Sequence, residues 1–170
     1  MDKVVVKIRR LSPFAVIPTK QHPGDAGFDL YVPYDICLRE GRQVLRLDFS
    51  MELPHGYAAT IQPRSGFSVN GMLCEYSVLD RYQNPVVVDP EKSIDADVIR
   101  GLVDENYRGI VGVIIDVHCK MAEHECYVLK KGTRIAQMQI VEVPDVEFED
   151  ADTLSDTDRG TGGFGSTNNV

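Results

Sequence analysis

Short apolar runs rich in β-branched residues, each closed by turn residues, recur along the chain. Residues 3–8 read Lys-Val-Val-Val-Lys-Ile, and residues 43–49 alternate through Val44, Leu45, Leu47 and Phe49. Residues 57–62, 110–117, 127–129 and 135–143 repeat the pattern. A two-residue period puts one face of each run in a core and the other in solvent, so these segments are predicted to be strands. Pro23-Gly24, Pro54-His55-Gly56 and Lys131-Gly132 punctuate them as turns. No stretch of twelve residues keeps a helical period, although 71–81 and 92–100 have room for a turn or two of helix. The pattern predicts an all-β sandwich or barrel.

Two regions break the pattern. Residues 67–100 form a long connection with Pro85, Pro90 and a Val86-Val87-Val88 strand candidate. A connection of that length in a compact domain usually carries function or its own small structure. Beyond Val143 the chain turns acidic and then glycine-rich, a poor core segment that is expected to be a mobile arm.

Charge sharpens this picture. With 170 residues the chain suits one domain. Its 18 Lys+Arg against 26 Asp+Glu give a net charge of −8. Seven acids and no base fall between Asp145 and Asp158, leaving −1 on the remainder. A nucleic-acid polymer as partner is excluded, because phosphate-backbone binding needs a basic face. One small anionic ligand is not, since a few placed arginines suffice. No apolar run approaches the ~18–20 residues of a membrane span, and the charged N-terminal residues do not suit a secretory signal. Four cysteines without a Cys-x-x-Cys pair imply a reducing, cytoplasmic setting.

The candidate chemistry lies in turns. Pro63-Arg64-Ser65-Gly66 follows a predicted strand, and its guanidinium fork, hydroxyl and turn amides suit phosphate oxygens. Arg134 and Gln137 open the 135–143 strand, where strict alternation would aim them to opposite faces, so a shared ligand requires a bend. In residues 101–109, Asp104 could serve as a general base and Tyr107 could pack on a sugar. Asp29 sits between apolar Phe28 and Leu30 and could hold a metal-bound water. In the arm, glycines around Phe164 allow close approach to an anion, Arg159 and Ser166 add donors, and Phe164 could stack on a base. Taken alone, each segment is more commonly an ordinary surface turn, a solvent-facing strand residue or a frayed tail. His118, Cys119, His124 and Cys126 have metal-site composition but no zinc spacing, and adjacent strand residues face opposite ways, so they are not taken as a site.

In order along the chain, five segments resemble the motifs of the trimeric dUTPase family. They are Ala26-Gly27-Phe28-Asp29-Leu30-Tyr31, Pro63-Arg64-Ser65-Gly66, residues 101–109 (Gly-Leu-Val-Asp-Glu-Asn-Tyr-Arg-Gly), Gly132-Thr133-Arg134-Ile135-Ala136-Gln137, and residues 159–167 (Arg-Gly-Thr-Gly-Gly-Phe-Gly-Ser-Thr). The resemblance implies a distorted jelly-roll-like β-barrel or sandwich with a mobile C-terminal arm. A β domain would span 1–144 with an insertion at about 71–100, and 145–170 would be an acidic tether and glycine-rich arm closing a neighbouring subunit's site. It further implies a homotrimer whose sites combine three subunits, and hydrolysis of dUTP to dUMP and pyrophosphate with Mg²⁺ on the triphosphate. Carried over by motif, Asp104 would activate the water attacking the α-phosphorus, and Tyr107 would pack on deoxyribose and exclude a 2′-hydroxyl. Asp29 would hold the metal through water. Arg64, Ser65, Gly66 and Gln137 would bind phosphate oxygens, Arg159, Gly165, Ser166 and Thr167 the terminal phosphates, and Phe164 would stack over uracil.

The sequence departs from the family in one place. Gly66 to Gly101 spans 35 positions, about twice the usual connection. The extra residues, expected to be a surface element, could tune the site or bind a protein partner. They include Ile94-Asp95-Ala96-Asp97, which resembles the start of the third motif, but Val98 stands three beyond Asp95 whereas Tyr107 stands three beyond Asp104. Asp104 is therefore the assigned base. A dCTP deaminase or bifunctional deaminase–dUTPase on the same fold is an alternative, disfavoured by Gly66 and Phe164; a nucleotide-dependent interaction module using the insertion is another.

Overall fold

A computed structural model describes residues 3–162. Among them, in chain order, lie β1 (Lys7–Arg10), β2 (Phe28–Tyr31), β3 (Ile36–Cys37), β4 (Gly41–Arg46), β5 (Phe49–Glu52) and β6 (Tyr57–Gln62). A short helix α1 (Ser65–Asn70) follows, then β7 (Met72–Leu79), β8 (Pro85–Ile94), β9 (Ala96–Ile99), β10 (Gly101–Val103), β11 (Gly112–Val117), β12 (Glu125–Leu129) and β13 (Arg134–Glu142). The sheets run β10-β6-β13-β2, β3-β12-β7-β8, β4-β11-β9 and β1-β5, with antiparallel pairing throughout. Strand neighbours distant in sequence, as in β13 beside β2, are those of a jelly-roll-like β fold, and the expected fold class is what is found. No helix of the described residues is long and apolar enough to cross a membrane.

Inward-facing side chains from all the sheets meet in one core, including Leu30, Val32, Leu45, Leu47, Phe49, Ile61, Met72, Ile115, Leu129 and Ile135. Removing this apolar surface from water is the main drive for closing the sheets on one another. The run at 43–49 is split into β4 and β5 because Asp48 adopts φ 56°, a left-handed conformation that Asp tolerates better than most residues. The kink keeps both Leu47 and Phe49 buried, while Leu47 N–H and Val111 N–H bond across to Val111 and Phe49 carbonyls at 3.0 and 2.9 Å. The N-terminal strand falls at 7–10, not 3–8, since β5 supplies partners only from Lys7 onward.

The connection after the second motif is folded. Where helical turns were expected at 71–81 and 92–100 there are strands, and the helix falls instead on Ser65–Asn70. Met72 and Cys74, then Ala96 and Val98, are buried two residues apart, the strand period, whereas α1 buries only Phe67. Gly71 (φ 78°) makes the exit from α1 possible, because a Cβ there would lie 2.7 Å from the Ile94 carbonyl oxygen. The β7–β8 hairpin turns at Asp80, whose carboxylate accepts from the Tyr82 and Asn84 amides at 2.7 and 2.9 Å. Since β7 lies between β12 and β8, the insertion widens an existing sheet.

Candidate active site

The β2–β13–β6 sheet assembles the first, second and fourth motifs around one carboxylate. Asp29 on β2 pairs with Gln137 on β13, and Arg64 follows β6, which lies on the other side of β13. Asp29 is only 1% exposed. Thr19 pairs with the free edge of β2, its carbonyl accepting the Asp29 N–H at 2.8 Å. Asp29 Oδ1 accepts from Arg64 Nε at 3.0 Å and Gln137 Nε2 at 3.3 Å, and Oδ2 accepts from Arg134 Nη1 at 3.3 Å. A register irregularity between Arg134 and Ala136 supplies the required bend, letting Arg134 and Gln137 reach the same carboxylate. Gly27 closes against Gln137, where a Cβ would come within 3.1 Å of its amide oxygen.

Arg64 and Arg134 both line a cleft of about 300 Å³ with Gly66, Phe67, Asn70 and Thr133. Ser65 and Gly66 are exposed at the start of α1. The cleft therefore presents two guanidinium groups, each tethered on its inner side and with further N–H donors, a geometry suited to several phosphate oxygens.

The third motif lies elsewhere on the same chain. β10 ends at Val103, and Asp104 begins a tight turn in which its carbonyl accepts the Tyr107 N–H at 3.1 Å. Asp104 is exposed, and the Tyr107 hydroxyl donates to the Ile110 carbonyl at 3.0 Å, fixing its ring over the turn. Both line a cleft of about 260 Å³ with Val44, Leu102, Ile114 and Gly112. The turn is held from behind by Glu105, whose carboxylate accepts from the Gly56 N–H at 2.7 Å and faces His55 Nδ1 at 3.1 Å. That hydrogen bond raises the His55 pKa, while His55 and the Gly56 amide together lower that of Glu105. This brace was not foreseen: His55 stands in what reads as a plain Pro-His-Gly turn, fifty positions from its partner.

One chain thus brings Asp29, Arg64, Arg134 and Gln137 together and Asp104 with Tyr107, but Arg64 and Arg134 line one cleft and Asp104 and Tyr107 another. Arg159 is exposed and donates to the Gly162 carbonyl at 2.8 Å. Phe164, Gly165, Ser166 and Thr167 lie outside the described residues. His118 pairs with Asp97 at 2.9 Å and Cys126 lies against Cys37.

A divalent cation held by this chain's own side chains does not fit the site. The expected role of Asp29, a metal held through water, needs an accessible carboxylate edge, but Asp29 is enclosed and both oxygens are engaged by cationic or amide donors. Among the described residues no group of three His, Cys, Asp or Glu side chains is arranged to hold a metal.

Comparison with known proteins places these motifs in context. The dUTPase family model matches residues 14–89 and 90–168. The deoxyuridine 5'-triphosphate nucleotidohydrolase of Gloeothece citriformis is 36% identical over 163 residues, covering 95% of each chain. That of Thermobifida fusca is 39% identical over 165 residues, covering 96% of this chain and 79% of its own. Among solved structures, a mutant of the Staphylococcus bacteriophage 80alpha dUTPase with dUpNHpp has a similar fold, with a TM-score of 0.71 at 22% identity, covering 96% of this chain and 98% of that one. The family match across nearly the whole chain means that this chain belongs to the dUTPase family.

Proposed function

We propose that the protein hydrolyses dUTP to dUMP and pyrophosphate. The observation that carries this reading is the similarity, 36% identical over 163 residues, to a deoxyuridine 5'-triphosphate nucleotidohydrolase, with an exposed Asp104 at the head of a braced turn. The substrate enters as a triphosphate carrying Mg²⁺, which supplies charge neutralisation on the phosphate oxygens. Asp104 accepts the proton of the water that attacks the α-phosphorus. Arg64, Ser65, Gly66 and Gln137 hold phosphate oxygens, and positive charge near the leaving pyrophosphate favours its departure. Tyr107 lies against the deoxyribose, where its ring leaves no space for a 2′-hydroxyl. Arg159, Gly165, Ser166 and Thr167 close on the terminal phosphates, and Phe164 covers the base.

The separation of the two clefts on one chain supports a site shared between copies, in the family's case a homotrimer. The acidic residues 145–158 are exposed and form no strand, in keeping with a tether to the arm. The test is pyrophosphate release from dUTP, dCTP, dTTP and UTP with and without Mg²⁺. Turnover of dUTP far above the others supports the reading; ammonia release from dCTP, or turnover of none, overturns it.

A further inference from the structure

The surroundings of Asp29 define a different task from metal binding. A carboxylate only 1% exposed is costly unless compensated, and here two arginines and an amide compensate it. Two guanidinium groups this close would repel and splay apart without an anion between them. Arg64 gives Asp29 its Nε, which leaves both of its Nη groups for a ligand; Arg134 gives Nη1 and keeps Nη2 and Nε. The side chains of Arg64 and Arg134 remain 24% and 40% exposed, so the outward halves of the pair face the cleft.

We propose that Asp29 is a positioning residue that locks Arg64 and Arg134 into a two-guanidinium clamp for the polyphosphate, and that it binds no metal. This rests on a triphosphate being the substrate. The amide of Asp29→Asn keeps the size, loses the charge and turns a donor toward one arginine. Binding of inorganic tripolyphosphate and of a non-hydrolysable dUTP analogue is measured by calorimetry, first in EDTA and then across a Mg²⁺ titration. The clamp predicts at least a tenfold loss of affinity for both probes in EDTA, with the Mg²⁺ concentration for half-maximal turnover unchanged. Intact affinity in EDTA with a raised Mg²⁺ requirement overturns it in favour of a metal ligand. Arg64→Lys is the second variant, should Asp29→Asn not fold: it keeps the charge but cannot bond Asp29 and face the cleft at once, and unaltered tripolyphosphate affinity there also overturns the clamp. Tripolyphosphate binding by a wild-type protein that turns over no dUTP would sink the substrate reading and leave the clamp standing.

A separate feature lies in the β3-β12-β7-β8 sheet. Cys37 on β3 stands opposite Val128, so Cys126 is its diagonal neighbour on the same face, and the two sulfurs are 3.0 Å apart. Cys37 is exposed. A disulfide needs ~2.05 Å, a further approach of about 1 Å, which a two-residue edge strand can supply. Burial, with the contact to Cys37, pushes the Cys126 thiol up to about 11, and because Cys37 is exposed while Cys126 is half-buried, Cys37 is the thiol that meets an oxidant first.

We infer that Cys37 and Cys126 form a reversible disulfide site. With glutathione disulfide as oxidant, the Cys37 sulfur attacks one glutathione sulfur and expels the other glutathione as a thiol. Cys126 then attacks Cys37 of the mixed disulfide and expels the second. Two protein thiols are oxidised, one glutathione disulfide is reduced to two glutathiones, and the protein loses two hydrogens. Peptide mapping after such treatment is expected to find Cys37 joined to Cys126, with a higher thermal midpoint than the reduced protein, while Cys126→Ser retains one glutathione on Cys37. Glutathione persisting on Cys37 of the wild type, or no reaction at Cys37, would overturn the inference.

Discussion

Adding one methyl group at position 109 tests how the third motif works. A Cβ on Gly109 would lie 2.3 Å from Tyr107 Oη and 2.5 Å from Cζ. Ordinary contact begins at 3.4 Å, so in Gly109→Ala the ring must retreat by about 1 Å. It has room to do so, because Tyr107 is 46% exposed, and the fold survives. The retreat breaks the hydroxyl's bond to the Ile110 carbonyl, a contact worth about 1 kcal/mol and so about 2–4 °C of Tm for a chain of this size. Catalysis should suffer more than stability. A misplacement of about 1 Å at a positioning contact reaches about 100-fold in rate, so kcat/KM for dUTP is expected to fall by about 10- to 100-fold. The diagnostic quantity is the ratio of kcat/KM for dUTP to that for UTP, measured by pyrophosphate release beside a thermal melt. It should shrink, since the displaced ring no longer fills the space of a 2′-hydroxyl. A folded variant with the wild-type ratio would refute the role given to Tyr107.

The brace behind Asp104 makes a pH prediction. His55 has a raised pKa in the folded protein, so its stabilisation is complete below its ordinary value of 6.5 and is lost as pH rises through the folded value. Glu105 has a lowered one, so its stabilisation is present above 4.5 and is lost as pH falls through the folded value. Urea denaturation should find the stability difference between wild type and His55→Ala largest between pH 4.5 and 6.5 and shrinking on either side; a difference independent of pH would rule out the pair as its source. In the core, Phe49→Ala removes a ring only 1% exposed and should cost about 3–5 kcal/mol, seen as a lower urea midpoint at constant slope. A loss under about 1 kcal/mol would mean that the sheets do not close on Phe49 as described.

Much of the fold was legible because two-residue alternation is a local signal. β6 falls on the predicted residues, and β11, β12 and β13 within two or three of their predicted ends. The 71–100 region misled because it lacks a clean alternation: in β7 apolar Leu73 is exposed while Ser77 is buried, and β8 buries only Ile94. The ordered motifs picked out Asp29, Arg64 and Gln137, which the fold brings together, and Asp104, which lines a separate cleft. The burial of Asp29 was not legible, since the side chains packed on its carboxylate, Arg64, Arg134 and Gln137, come from distant segments that no pattern within residues 28–31 encodes. The bend that unites Arg134 with Gln137 was recognisable as a requirement, whereas the brace between His55 and Glu105 joins residues that no spacing rule connects.

The central claim is that Asp104 activates a water for attack on the α-phosphorus of dUTP. Hydrolysis in ¹⁸O-water tests both halves, with single-turnover rates of wild type and Asp104→Asn compared at saturating enzyme. The label should enter dUMP and not pyrophosphate, and the variant should bind a non-hydrolysable dUTP analogue normally while turning over about 10²–10⁴-fold more slowly, the usual worth of a general base. Label in pyrophosphate would contradict attack at the α-phosphorus, and a variant as fast as the wild type would contradict Asp104 as the base.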